Sequence, residues 1–177
     1  MKKVVIILAV LVVLGGVAGT FLFMKKDSSK TSNESRTTFT TYEACKLLTN
    51  DKAASLLGTQ AMLGQEPSPS NSDDLKVTNC VYNNNAGNFK DIVSVSVLVR
   101  SPLTQAGAES NEKTFTNTSL VGDSAVDGYG QKAMWNSTTG QLNVLKDKNW
   151  TIVTFGKTQP ASRTLDDAKK ATDILLK

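Results

Sequence analysis

Two cysteines are the first residues along this chain whose type could do chemistry. Cys45 sits in "TYEACKLL" and Cys80 in "TNCVY", with 34 residues between them. A pair in an oxidising space forms one structural bridge, whereas in a reducing one it stays as two buried thiols. No Cys-x-x-Cys spacing is present, so a dithiol redox centre is not expected. There is no histidine anywhere, which excludes His-based serine or cysteine triads and His-ligated zinc. Gly122-Asp123-Ser124-Ala125 resembles the nucleophile turn of serine proteases, but Ser124 lacks a base of the required type and the stretch reads as a tight loop. Asp123, Asp127 and Gly128 fall at the first, fifth and sixth positions of a calcium loop. Its third position is Ala125 and its twelfth Met134, where a bidentate glutamate is required. Asp166-Asp167 suits a helix N-terminus better than acid–base work. Ser–Lys catalysis cannot be placed without a fold. No catalytic residue, metal or cofactor is expected, and the ligand-binding residues are not legible.

The aromatic residues and the Asn-x-Ser/Thr triplets carry little more. Trp135, Trp150 and Phe155 lie in apolar alternating runs and read as core or hairpin-pair residues rather than ligand platforms. Asn33, Asn117, Asn136 and Asn149 begin triplets that chance supplies in an Asn- and Thr-rich chain.

The elements that position these residues begin with an anchor. From Val4 to Met24, "VVIILAVLVVLGGVAGTFLFM" holds no charge. As a helix, 21 residues span roughly 31 Å, the hydrocarbon thickness of a bilayer. A cleaved signal peptide is the alternative, with Val17-Ala18-Gly19 as a small-residue site, but the apolar run continues to Lys25-Lys26. Residues 1–24 are therefore expected as a transmembrane anchor, and residues 25–38, "KKDSSKTSNESRTT", as a polar stalk that cannot bury enough surface to fold. Lysines flank both ends of the span, so the charge rule barely orients it, and orientation rests on the cysteines.

Residues 39–177 form the expected extracytoplasmic domain. The chain carries +4, but six of its 20 basic and two of its 16 acidic residues precede Phe39, leaving 14 of each in the domain. In a neutral domain without a basic face or nucleic-acid motif, no nucleic-acid partner is expected. The basic stalk suits lipid headgroups instead.

Within the domain, Thr40-x-x-Glu43 fits a capping box and Gly58 a left-handed helix stop, with a second start at Thr49. "GQEPSPSNSDD" reads as a loop and "LKVTNCVY" as a strand. In "DIVSVSVLVR" the valines 93, 95, 97 and 99 alternate with Ser94 and Ser96, the pattern of a half-buried antiparallel strand. Ser101-Pro102 is expected to open a helix through about Asn111. "QKAMWN", "GQLNVLKD" and "WTIVTFG" read as three strands joined by short turns. Thr164, Asp166, Asp167 and Lys177 frame a C-terminal helix with Leu165, Ala168, Ala171, Thr172 and Leu175 on one face. The fold class expected is α+β: an antiparallel sheet of about five strands with helices packed on one face, preceded by one transmembrane helix.

"CKLLTNDKAASLLG", "CVY", "LVGDSAV" and "LNVLKDKNWTIVTF" followed by a C-terminal helix resemble an uncharacterised domain family, chiefly of actinobacterial lipoproteins and related extracytoplasmic sensor-type domains. The matching residues are Cys45, Leu47, Leu48, Leu57, Gly58, Cys80 and Tyr82, with Gly122, Asp123 and Ala125 at the Gly-Asp-x-Ala turn. Here a membrane helix replaces the lipid-bearing cysteine, and the second cysteine pair often found in such domains is missing. The resemblance implies an extracytoplasmic α+β domain that binds something, and names no substrate.

The function expected is a membrane-anchored extracytoplasmic binding domain, not an enzyme. It would be held in the plasma membrane by residues 4–24 and face an unknown envelope protein or small ligand. A secreted form after signal cleavage is the alternative localisation. The alternative functions are a small-molecule carrier or sensor with an apolar pocket between sheet and helices, and an enzyme that works without histidine.

Overall fold

The computed structural model describes residues 38–65 and 69–177. The anchor expected over 1–24 and all but the last residue of the stalk expected over 25–38 lie outside them, as does Asn33. Among the described residues no helix is long and apolar enough to cross a membrane.

The chain enters through two short helices, α1 (Ala44–Leu47) and α2 (Asn50–Leu57). Thr49 separates them: its hydroxyl accepts from the Lys52 N–H, capping α2. Gly58 ends α2 with φ +90°, a conformation that side chains rarely adopt. The expected Thr40–Glu43 capping box does not form. The Thr40 carbonyl instead accepts from the Asn149 amide, and Glu43 turns its carboxylate to Lys76 and Lys46.

Strands β1 (Met62–Gln65), β2 (Ser70–Asn71), β3 (Leu75–Asn83) and β4 (Val93–Pro102) follow. The next segment is helical, α3 (Gln105–Phe115) and α4 (Thr118–Val121). Four more strands, β5 (Ser124–Ala125), β6 (Lys132–Asn136), β7 (Gln141–Lys146) and β8 (Asn149–Lys157), precede the closing helix α5 (Leu165–Leu176). The strands make one eight-stranded sheet in the order β1-β3-β4-β8-β7-β6-β5, with β2 also on the outer edge of β3 and every pairing antiparallel. The α+β class with an antiparallel sheet is therefore as expected, and the sheet is wider than the five strands anticipated. The additions, β1, β2 and β5, have two to four residues, too few to show alternation.

Register assigns the two faces. Val95, Val97 and Val99 pair with Phe155, Val153 and Thr151 on β8, and Leu142 and Val144 on β7 continue the row. α1, α2 and α5 cover this face. Ala44, Leu48, Ala53, Cys80, Val95, Val97, Val99, Val153 and Ala171 are at most 1% exposed and make its core with Phe155 and Leu175. α3 and α4 pack on the opposite face, which corrects the expectation of helices on one face only. Trp150 and Leu145 point there, and with Phe115 and Val121 they form a separate cluster. The Phe115 and Trp150 rings meet edge to face, centroids 6.0 Å apart, and the Arg100 guanidinium lies 5.2 Å from the Trp150 centroid.

The helix expected from Ser101 begins later. Ser101 and Pro102 extend β4, pairing with Lys76 and Leu75, and Thr104 caps α3 by accepting from the Gly107 N–H. Ser101 is held in the strand by its buried hydroxyl, which accepts from the Tyr42 N–H (2.9 Å) and donates to the Asn149 side-chain carbonyl.

Candidate functional site

Cys45 and Cys80 are joined in a disulfide, with Cα atoms 5.1 Å apart. The bridge fastens α1 to β3 and so to the core of the covered face, where Cys80 is fully buried. Beside it the Ala44 N–H donates to the Thr78 hydroxyl (3.0 Å), and Lys76 reaches Glu43 (2.6 Å). Lys76 first and Lys46 second hold the Glu43 carboxyl below its ordinary pKa.

The other residues singled out by type are placed apart. Ser124 is exposed on β5 and donates to the Asp123 carboxylate at 3.2 Å. Asp127 is exposed on the following turn, and Met134 lies on β6. Among the described residues, no three His, Cys, Asp or Glu side chains could hold a metal, and no serine hydroxyl is bonded to a lysine amine. Trp135 and Phe155 are buried among core side chains, and the Trp150 indole N–H donates to Asn143 (2.9 Å). Asn136 and Asn149 are buried and bonded, while Asn117 caps α4. Asp166 and Asp167 occupy the first turn of α5, whose start Thr164 caps.

Among the described residues, the surface concavities include three of ligand size. One, about 180 Å³, is a shallow trough on the sheet face beside α3 and α4, between Val81, Ser96, Leu98, Gln141 and Ile152. A second, about 260 Å³, lies between α4 and the β6–β7 turn and is lined by hydroxyls and amides from Thr118, Ser119, Asn136 and Ser137. The third, the largest of these three, has about 310 Å³ and is lined by Phe89, Lys90, Lys157, Thr158, Gln159 and Ser162.

Two segments far apart in sequence build this third cavity, because antiparallel register sets Val93 opposite Lys157. One wall is the short 3-10 turn Phe89–Asp91. Asn84 holds it from behind, its Oδ1 accepting from the Val93 N–H (3.1 Å) and its Nδ2 donating to the Asp91 carbonyl (3.1 Å). Asn88 caps the turn by accepting from the Lys90 N–H (3.1 Å). The other wall follows β8 and is pinned by Arg163, whose guanidinium donates to the carbonyls of Lys157 (2.9 Å), Thr158 (3.1 Å) and Thr139 (3.0 Å). Partial burial lowers the Arg163 pKa, but a guanidinium keeps its charge. The Thr158 hydroxyl joins the walls by donating to the Ile92 carbonyl (3.4 Å).

Phe89 is 66% exposed on this held turn. Neither Lys90 nor Lys157 is ion-paired among the described residues, and the nearest acid in sequence, Asp91, pairs with neither. The sequence contains one hint of this site, an aromatic residue stranded in the polar turn "NNNAGNFKD". Nothing marks Lys157, Gln159 or Ser162, since their neighbourhood exists only once β4 and β8 are paired.

No protein-family model, no curated protein and no solved structure matches this chain.

Proposed function

We propose that this chain is an extracytoplasmic binding domain, tethered to the plasma membrane through residues 4–24, that uses its surface rather than a catalytic centre. The Cys45–Cys80 bridge carries the reading, because a buried structural disulfide belongs to an oxidising compartment. The uncharged run from Val4 to Met24 and the neutral charge of residues 39–177 support it. So does the resemblance of "CKLLTNDKAASLLG" and "CVY" to extracytoplasmic lipoprotein domains. The space between the sheet and the helices α1, α2 and α5 is filled by side chains such as Leu48, Val97, Val153 and Leu175. The reading therefore places recognition on the outer surface, where the 310 Å³ cavity is held open by Asn84 and Arg163.

A cysteine introduced into the stalk, Ser32→Cys, tests the compartment. On intact cells it is expected to react with a membrane-impermeant maleimide. Protection of that thiol until the cells are lysed would overturn the reading.

A further inference from the structure

We infer that the cavity between the Phe89 turn and the end of β8 is a binding site for an anionic saccharide, a sugar ring carrying a carboxylate or a phosphate. The inference deepens the reading of the chain as a binding domain and rests on it for where the ligand is met.

Three kinds of group converge there, each suited to one part of such a ligand. The exposed Phe89 ring offers a flat apolar face to the C–H face of a sugar. Thr158, Gln159 and Ser162 offer hydroxyl and amide groups matched to ring hydroxyls. The amines of Lys90 and Lys157, unpaired among the described residues, supply the countercharge for an acidic substituent. The volume, about 310 Å³, is at the small end of the range usual for small-molecule sites. Both walls are fixed by side-chain bonds to backbone, so little backbone ordering remains to oppose binding.

The same observations disfavour two other occupants. An acidic peptide that binds by strand addition needs an open ladder, whereas β4 is paired on both sides and, past Val153 where β8 leaves β7, the Arg163 guanidinium takes the carbonyls of Lys157 and Thr158. A bilayer surface calls for several apolar tips, and Phe89 is the single apolar residue of the six that line this cavity. The chain also enters the domain at the other end of β8, where Asn149 bonds Thr40. Nine residues of strand, roughly 27 Å, separate that point from Lys157.

Calorimetric titration of the purified full chain held in detergent-free phosphatidylcholine nanodiscs tests the inference. The probes are a galacturonate hexamer for the carboxylate form, mannopentaose phosphate for the phosphate form, and chitohexaose as a neutral saccharide. Hexaglutamate and phosphatidylglycerol vesicles stand for the competing occupants. At least one of the two anionic saccharides should bind more tightly than all three others, and which one does identifies the acidic group. That affinity should fall about tenfold in Phe89→Ala, the equivalent of losing one stacking contact. Lys157→Gln should weaken binding and flatten its dependence on salt. Both residues are exposed, so the fold should survive, as circular dichroism of each variant can verify. Binding by neither anionic saccharide, equal or tighter binding of chitohexaose, hexaglutamate or the vesicles, or unchanged affinity in either variant would overturn the site. The titration uses purified protein, so its failure leaves the compartment reading standing, and failure of the thiol labelling leaves this site standing.

Discussion

Tyr129 shows at the level of single residues how position, more than type, sets behaviour. Its ring is buried, its hydroxyl donates to the Asp173 carboxylate (3.0 Å), and the Lys177 amine lies 5.0 Å from the ring centroid. Burial first, then the bond and charge of Asp173, push its pKa from 10.0 to about 12. The Asp173 carboxyl is held low, chiefly by Lys177. The folded state thus holds the phenol proton more tightly than the unfolded chain does. The stability this gives is complete below about pH 10 and is lost as pH rises towards 12. Urea midpoints measured from about pH 9 to about pH 11.5 should fall in the native chain, and the slope should be shallower in Tyr129→Phe. An unchanged slope would remove Tyr129 from the account. Residues of this kind were partly legible. Thr49 and Thr164 cap where their types suggested. Asn111, Asn143 and Asn149 could not be anticipated, because asparagine ordinarily marks turns and here each is fully buried and bonded to backbone carbonyls.

Among the elements, α3 and α4 are the ones whose placement adds most to the fold. They cover part of the second sheet face through Phe115 and Val121, and Asn111 ties them in by donating to the carbonyls of Arg100 and Lys148 (2.9 Å each). Phe115 is 4% exposed, and its truncation to alanine should cost about 3–5 kcal/mol of unfolding free energy, read by urea denaturation. The Leu120→Ala variant on α4 is the internal control. That side chain is half exposed, so its loss should stay within about 0.5 kcal/mol. Equal effects from the two would mean that the Phe115 cluster is not a core. Strand β4 was readable from its valine alternation and α5 from its cap and apolar face, since each is long enough to show a period. The start of α3 was misplaced, because Ser-Pro is a good local helix opening. The buried bonds of Ser101 to Tyr42 and Asn149 override that preference and keep the pair in the strand. Which face α3 would choose was not written in its own residues. It follows from Trp150, whose direction is set by the pairing of β8 with β4 and β7.

At the scale of the whole molecule, one covalent link and one sheet register organise the rest. The bridge closes a loop with a sequence separation of 35, which in the chain-entropy picture stabilises the fold by roughly 3–4 kcal/mol. The double variant Cys45→Ala/Cys80→Ala should therefore unfold at markedly lower urea than the oxidised chain, and reducing agent should lower the midpoint of the native protein without affecting the variant. No effect of reduction on the native midpoint would show that the bridge is dispensable. This link was legible because the chain has two cysteines and no others. The cavity was not, because its residues come from positions 89–90 and 157–162 and meet only through the finished register.

The bridge also has a mechanical consequence. Tension applied through the N-terminal side meets Cys45 and passes across sulfur into β3, in the interior of the sheet, without travelling along α2. Residues 46–79 lie in a closed loop that cannot pay out under load. About 110–120 Å of slack stays locked away for as long as the sulfurs remain joined.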